Sequence, residues 1–225
     1  VVLNRANGVR FHNSDESSVT AESGVIFSNL ANRCAAKGLG GLEWAATVPG
    51  TIGGAVYGNA GAFGGDTAGN LIWAELLTET GREKYTAEKM GYGYRTSILK
   101  RAELDAVVLS AELRLTNSTK EEVTVKIEQF GAHRKATQPP GASMGSMFKN
   151  PNGDYAGRLI EAAGLKGARI GNAEISPLHG NFFINYTNTK ADDIRALIEL
   201  VQKTVKETQG VDLELEIELI GEWNV

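Results

Sequence analysis

Three stretches of this sequence hold residue types able to do chemistry, and none of them is a complete motif on its own. In PGTIGGAVYGNAGAFGG, Pro49 to Gly65, seven glycines fall between Gly50 and Gly65. Glycine lacks the Cβ that keeps backbone away from a ligand, and successive exposed N–H groups can form an anion nest. A phosphate or a flavin edge fits such a stretch, and so does a set of tight turns beside a sheet. So many glycines disfavour a helix or an interior strand. Neither G-x-G-x-x-G nor a P-loop ending in G-K-[ST] occurs. The second stretch is GYGYRTS, Gly91 to Ser97. The Arg95 guanidinium can hold a carboxylate through two bonds and stabilise charge developing on it, although loop arginines are more often solvated.

The third stretch is GSMFKNP, Gly145 to Pro151, where Ser146 and Lys149 match the S-x-x-K pattern of acyl-serine enzymes. That chemistry needs both residues on one helix face. Pro151 disfavours a helix there, and the companion K-T-G is absent. What is left is a loop serine whose hydroxyl can donate a proton. His12, His133 and His179 are scattered, with no H-E-x-x-H, so no metal site is expected.

The elements that would position these residues follow from periodicity. Ile26, Phe27, Leu30, Ala31, Cys34 and Ala35 recur at helical spacing within Val25 to Lys37, and Gly38 stops that helix. Cys34 lies on the apolar stripe and reads as a small buried hydrophobe, not a nucleophile. Strands are predicted over Leu71 to Glu79 and Leu104 to Leu115. Thr119 is a helix cap, with Val123, Ile127 and Phe130 as the buried stripe and Pro139-Pro140 as the stop. Ala156 to Ala163 predicts a short helix closed by Gly164. Phe182 to Ile184 predicts a buried strand. A long helix is predicted from Thr189 and Asp192, with Ile194, Leu197, Ile198, Val201 and Val205 inward and Gly210 at its end. VDLELEIEL, Val211 to Leu219, alternates as a half-buried strand, and its acidic face is solvated by default. The class is α+β with mainly antiparallel or mixed sheet.

Composition bounds the rest. With 225 residues, 42% hydrophobic and 22% charged, the chain can bury a core of its own. A single cysteine excludes an intramolecular disulfide framework and a multi-cysteine zinc site. A net charge of −4 offers no support for nucleic-acid binding, and no stretch approaches the roughly 20 apolar residues of a membrane span. A soluble, cytoplasmic protein is expected. The start, VVLNRANGVRF, has no signal-peptide pattern and no initiator Met, so a missing upstream segment is expected.

In order, PGTIGGAVYGNAGAFGG, GYGYRTS, TQPPGASMGSMFKNP, AGRLIEAAGLKGARIGNAEISPLHGNFFIN and LELEIELIG resemble the UDP-N-acetylenolpyruvoylglucosamine reductase family over nearly the whole chain. The resemblance implies a flavin-binding fold of the vanillyl-alcohol-oxidase kind and an NADPH-dependent, FAD-mediated reduction of UDP-N-acetylglucosamine enolpyruvate to UDP-N-acetylmuramate, a step of peptidoglycan synthesis. It implies the second FAD-binding subdomain over 1–138 with a returning strand over 210–225, and a C-terminal α+β substrate domain over 139–209. A first FAD subdomain would lie upstream of Val1. The short connection between Arg95 and Leu115 resembles the branch that lacks an extra tyrosine-bearing loop. A monomer is expected.

Carried over at matching positions, Ser146 would protonate the substrate, Arg95 would lie by the enolpyruvyl carboxylate and Glu216 would be the third catalytic residue. Asn150 matches a substrate contact. The matching flavin contacts are Pro49, Gly50, Thr51, Ile52, Gly53, Gly54, Ala55, Asn59, Ala60 and Gly61. Two departures stand out: Leu215 replaces a common proline before the glutamate, and Thr137 replaces a lysine that some members use for substrate. Other readings remain open here, namely a flavin-dependent oxidase of the same fold or a non-catalytic sugar-nucleotide-binding module.

Overall fold

Apolar residues three and four apart build the first helix, α1 (Phe27–Ala35), which buries Phe27, Leu30, Ala31, Cys34 and Ala35. Gly38, at φ +70°, takes the chain out of the helix in the left-handed conformation that glycine adopts without strain. In the computed structural model residues 5–12 and 17–222 are described, so the expectations for Val1–Asn4 and for 223–225 lie outside them. The described residues pack as two units divided between Ala132 and His133.

The first unit is built on a five-stranded antiparallel sheet with strands in the order Val9–His12, Ser18–Glu22, Val107–Arg114, Leu71–Thr78, Gly81–Thr86. The two strands legible in the sequence, 71–78 and 107–114, pair with each other inside this sheet. Val19, Ala21, Leu76, Ala111 and Leu113 pack with Leu30, Ile52 and Val56 in one core. Fully burying a Leu, Ile or Val side chain stabilises by about 1.5–3 kcal/mol.

The glycine-rich stretch departs from expectation, because Ile52–Gly58 is a helix, α2, despite Gly53, Gly54 and Gly58. Each interior glycine costs about 1 kcal/mol relative to alanine. Burial of Ile52, Ala55 and Val56 offsets that cost. Thr51 caps the helix by accepting the Gly54 amide at 3.3 Å, and Asn59 closes it at φ +48°. A single helical turn follows, α3 (Thr67–Asn70), capped by Asp66. In α4 (Lys120–Thr137), Val123 is buried and Phe130 stacks on Phe63 with ring centroids 4.5 Å apart. This helix runs across the division between the units.

The second unit sets α5 (Ala156–Ala162) and α6 (Ala191–Gln209) with a three-stranded antiparallel sheet of Arg169–Ile170, Ala173–Ile175 and Phe183–Asn185. The inward face of α6 is Ile194, Leu197, Ile198, Val201 and Val205, as its spacing predicts. Asp193, not Asp192, reaches back to the Lys190 amide at 3.0 Å, and Gly210 ends the helix at φ +72°.

The alternating stretch Val211–Leu219 is not a regular strand. Among the described residues its one strand pairing is a bridge between Leu215 and Phe148, flanked by Lys149 N to Glu214 O at 2.8 Å and Glu216 N to Met147 O at 2.9 Å. Its partner runs only from Ser146 to Lys149 before Asn150 and Pro151, and proline has no N–H to extend a ladder. Beyond the bridge the apolar residues lack cover: Leu219 is 42% and Ile220 85% exposed. These bonds hold residues 210–222 to the second unit; the resemblance, not the alternation, was what implied a strand over 210–225 returning to the FAD-binding subdomain of residues 1–138.

Candidate functional site

In the first unit, the GYGYRTS loop is stitched to the glycine-rich stretch residue by residue. The Tyr92 hydroxyl donates to Val56 O at 2.9 Å, and the Ser97 hydroxyl to Tyr57 O at 2.6 Å. Asn59 Nδ2 donates to Gly93 O at 3.0 Å, and Arg95 Nη2 to Gly61 O at 2.7 Å. Burial pushes the Tyr92 phenol above its usual pKa, so it stays a neutral donor. Arg95 adopts φ +56°, a left-handed backbone that costs a non-glycine residue about 1 kcal/mol or more and persists only where surroundings impose it.

The expected flavin contacts are brought together in this region, and they divide by environment. Ile52, Ala55 and Asn59 are buried, so Ile52 and Ala55 could meet a ligand only through backbone. The Asn59 side chain is committed, accepting the Ala68 amide at 2.9 Å while donating to Gly93. Ala60 O takes the Thr67 hydroxyl at 3.0 Å. Gly61 is internal packing, since a Cβ there would lie 2.8 Å from Gly65 O and 3.1 Å from Arg95 Nη1. Pro49, Gly50 and Gly54 are exposed. A Cβ on Gly50 would meet nothing within 4 Å, and one on Gly54 only the Thr51 hydroxyl at 3.8 Å.

The second unit contains a cavity of about 360 Å³ whose wall includes Ser146, Asn150, Tyr155, Arg158, His179 and Asn181. Ser146 lies on the short extended segment and bridges Phe182 through its backbone, so Ser146 and Lys149 share no helix face. This removes the acyl-serine geometry. Lys149 instead pairs with Glu214 at 3.2 Å. Among the described residues no protein group bonds the Ser146 hydroxyl. Asn150 Oδ1 accepts the Ala156 amide at 3.1 Å, which ties the loop to the start of α5. Glu216 is half-buried, unlike Asp212, Glu214 and Glu218, which are exposed. Its backbone bond to Met147 puts it one residue out of register from Ser146.

Sequence reasoning missed Asn181, and it singled out His179, which lines the cavity, only as one of three scattered histidines. Asn181 is 3% exposed, and its side chain accepts Phe148 N at 2.9 Å and donates to Phe148 O at 2.8 Å. A buried amide group left unmade costs about 1–3 kcal/mol, so this pair of bonds holds the Ser146–Asn150 segment firmly. The available signal was an Asn placed directly before the apolar run Phe182-Phe183-Ile184, where a buried polar side chain has to find partners. Among the described residues no group of three or more His, Cys, Asp or Glu side chains is placed to hold a metal ion. No described helix is long and apolar enough to cross a membrane.

A reductase of this kind from Chloroflexus aggregans, UDP-N-acetylenolpyruvoylglucosamine reductase, is 50% identical over 203 residues, covering 88% of this chain and 68% of that protein. The chain belongs to the UDP-N-acetylenolpyruvoylglucosamine reductase family. The enzyme of the same name from Bacillus pumilus is 42% identical over 226 residues, covering 100% of this chain and 74% of its own. The family model for the C-terminal domain of UDP-N-acetylenolpyruvoylglucosamine reductase matches residues 136–220, and an FAD binding domain model matches residues 1–86. The crystal structure of the Thermus caldophilus family member superposes with a TM-score of 0.79 at 37% identity, covering 88% of this chain and 71% of that one.

Membership makes the chain an FAD-dependent oxidoreductase, and the glycine-rich region fits a flavin on its own evidence. Backbone is bare at Gly50 and Gly54. Beside them, Ser23 keeps a buried hydroxyl that finds no partner among the described residues, while its carbonyl accepts the Gly53 amide at 2.9 Å. The departure at Leu215 also has an explanation. Leu215 sits opposite Phe148 at a position where its amide makes no bridge bond, so a proline there would remove no hydrogen bond, and the pairing around Glu216 is intact.

Proposed function

We propose that this protein catalyses the NADPH-dependent reduction of UDP-N-acetylglucosamine enolpyruvate to UDP-N-acetylmuramate in peptidoglycan precursor synthesis. When bound, FAD supplies the redox chemistry, taking hydride from NADPH and delivering it to the terminal enolpyruvyl carbon. The residues contribute orientation, charge and a proton. Hydride arrival leaves electron density on the adjacent carbon and its carboxylate, and fixed positive charge lowers the barrier to that enolate. Arg95 has this role, with the Gly61 carbonyl orienting its guanidinium. Ser146 delivers the proton to the adjacent carbon. Glu216 supports the serine, an alkyl hydroxyl being a poor acid by itself, and Asn150 binds substrate.

In this reading the first unit carries flavin along Pro49–Ala55 and Asn59–Gly61, and the second takes the UDP-sugar. The protein acts as a cytoplasmic monomer. The observation that carries the reading is the Ser146 hydroxyl on the wall of the second unit's cavity, with no protein partner among the described residues.

Replacement Ser146→Ala in the FAD-loaded, full-length enzyme tests it by stopped-flow. NADPH should bleach the flavin band as in the wild type, while anaerobic reoxidation by the enolpyruvyl sugar nucleotide should fall at least about 10³-fold, the scale of general-acid catalysis. Unchanged reoxidation would take Ser146 out of the mechanism. Reoxidation of the wild type by O2 alone, with the sugar nucleotide inert, would assign an oxidase instead.

A further inference from the structure

We propose that Asn152 is a site of spontaneous covalent modification, deamidated through the main-chain nitrogen of Gly153, and that the same dipeptide at Asn7-Gly8 is protected by the fold. These are the two Asn-Gly pairs in the sequence. Neither belongs to the catalytic reading above.

The chemistry needs only water. The Gly153 nitrogen gives its proton to solvent base and attacks Cγ of Asn152, so an N–Cγ bond forms and the Cγ–Nδ2 bond breaks. The proton returns on Nδ2, which leaves as ammonia. Water then opens the resulting cyclic imide at either carbonyl and gives aspartate or isoaspartate. Nothing is oxidised or reduced.

Such a reaction demands an unengaged nitrogen one residue on, with no side chain to shield it. Asn152 and Gly153 are both exposed, in a turn closed by Asp154 N to Pro151 O at 3.2 Å. That bond passes over Gly153, whose own amide donates to no group among the described residues, and the Asn152 side chain is bonded to none of them either. A Cβ at Gly153 would meet nothing within 4 Å, so the approach to the nitrogen is open, and φ +78° is a conformation that glycine adopts without strain. The neighbouring Asp154 carboxylate is engaged by Arg158 and by the Tyr155 amide, the latter at 2.7 Å.

At Asn7-Gly8 the same residue types are tied down. Gly8 N donates to Glu22 Oε2 at 2.6 Å, Gly8 O accepts Glu22 N at 3.0 Å, and Ala6 O accepts Gly24 N at 2.8 Å. To attack, the Gly8 nitrogen must give up a charge-assisted bond, and once deprotonated it lies against a carboxylate of like charge. Exposure does not separate the pairs, because Asn7 and Gly8 are exposed as well. The bond at the glycine amide does. Asn150 is spared for another reason, since Pro151 follows it and a proline nitrogen has no proton to lose. The reactive pair thus falls in the loop between Asn150 and Tyr155, two residues of the cavity wall, and both products place a negative charge there.

The test incubates the FAD-loaded, full-length enzyme in mildly alkaline buffer below its melting transition. Peptide mapping by mass spectrometry follows both asparagines, and electron-transfer fragmentation separates isoaspartate from aspartate. The Asn152 peptide should convert at least about tenfold faster than the Asn7 peptide, the factor imposed by first breaking one bond to a charged group. In the urea-unfolded chain the two rates should converge. Glu22→Ala, its fold checked by thermal melting, should raise the Asn7 rate toward that of Asn152. An intact Asn152, equal native rates, or unequal rates that persist after unfolding would overturn the inference, as would an Asn7 rate unmoved in folded Glu22→Ala.

Discussion

The amide of Glu216 donates to the carbonyl oxygen of Met147 at 2.9 Å, which locks the half-buried glutamate against the segment that carries Ser146. A single bridge, Phe148 opposite Leu215, therefore does the work that a full strand would do. The bond uses backbone atoms only, so it separates the glutamate's charge from its position.

Glu216→Gln should keep the bridge and fold, because the bond at Glu216 uses backbone atoms only. Leu215→Pro should also fold to a protein of near wild-type stability, because the Leu215 amide takes no part in the bridge. Urea denaturation measures both. Under the proposed chemistry, Glu216→Gln lowers the rate of flavin reoxidation by substrate about tenfold or more, while Leu215→Pro leaves it near wild type. Global unfolding of Leu215→Pro would show that the bridge depends on more than the two flanking bonds.

The glycines of Pro49–Gly65 should separate by what lies where a Cβ would point. At Gly54 an added methyl meets only the Thr51 hydroxyl at 3.8 Å, within helix α2. Gly54→Ala should raise apoprotein stability by about 0.5–1 kcal/mol through helix propensity and still weaken FAD binding. At Gly65 the methyl would lie 2.3 Å from Trp44 Cδ1, so Gly65→Ala should destabilise by about 1–3 kcal/mol, the usual cost of overpacking. Melting curves with and without FAD read the two effects apart. Undiminished FAD affinity in Gly54→Ala would move the flavin away from this helix.

Burial pushes the Cys34 thiol up to about 12 from 9.0, the opposing pull of Arg33 and Lys37 notwithstanding. Thiol reagents at pH 8 should therefore label the native protein far more slowly than the urea-unfolded chain. The linkage has a definite sign. Below pH 9 the thiol is protonated in both states and its contribution is complete; between pH 9 and about 12 only the unfolded chain ionises, so stability falls as pH rises. The slope contributed is at most about 1.4 kcal/mol per pH unit. Cys34→Ala should flatten it, and an unchanged slope would assign the alkaline loss to other groups.

Where one period decided one face, the chain was legible residue by residue. The stripe of α6 is buried as its spacing predicts, and so is that of α1 except Ile26, which precedes the helix as its N-cap and is 48% exposed; helix geometry puts i, i+3 and i+4 together only inside the helix. The closing Val211–Leu219 stretch shows the limit. Its alternation is as regular as any in the chain, yet a strand needs a partner of matching length, and Asn150-Pro151 ends the only partner found among the described residues. The helix at Ile52–Gly58 shows the converse, since buried Ile52, Ala55 and Val56 outweigh glycines that local propensity counts against it.

By itself the sequence determined the residue types, the helix faces and the ordered motifs that resemble the family, because all of these are local in the chain. It could not show that Arg95 is held by Gly61, 34 residues away, or that Asn181 clamps Phe148, 33 residues away. It could not show that the half-buried Glu216 is bonded at its amide beside Ser146. Those are pairings between distant segments, and they exist only once the core has brought backbone donors and acceptors within 3 Å of one another, a condition that no spacing along the chain encodes.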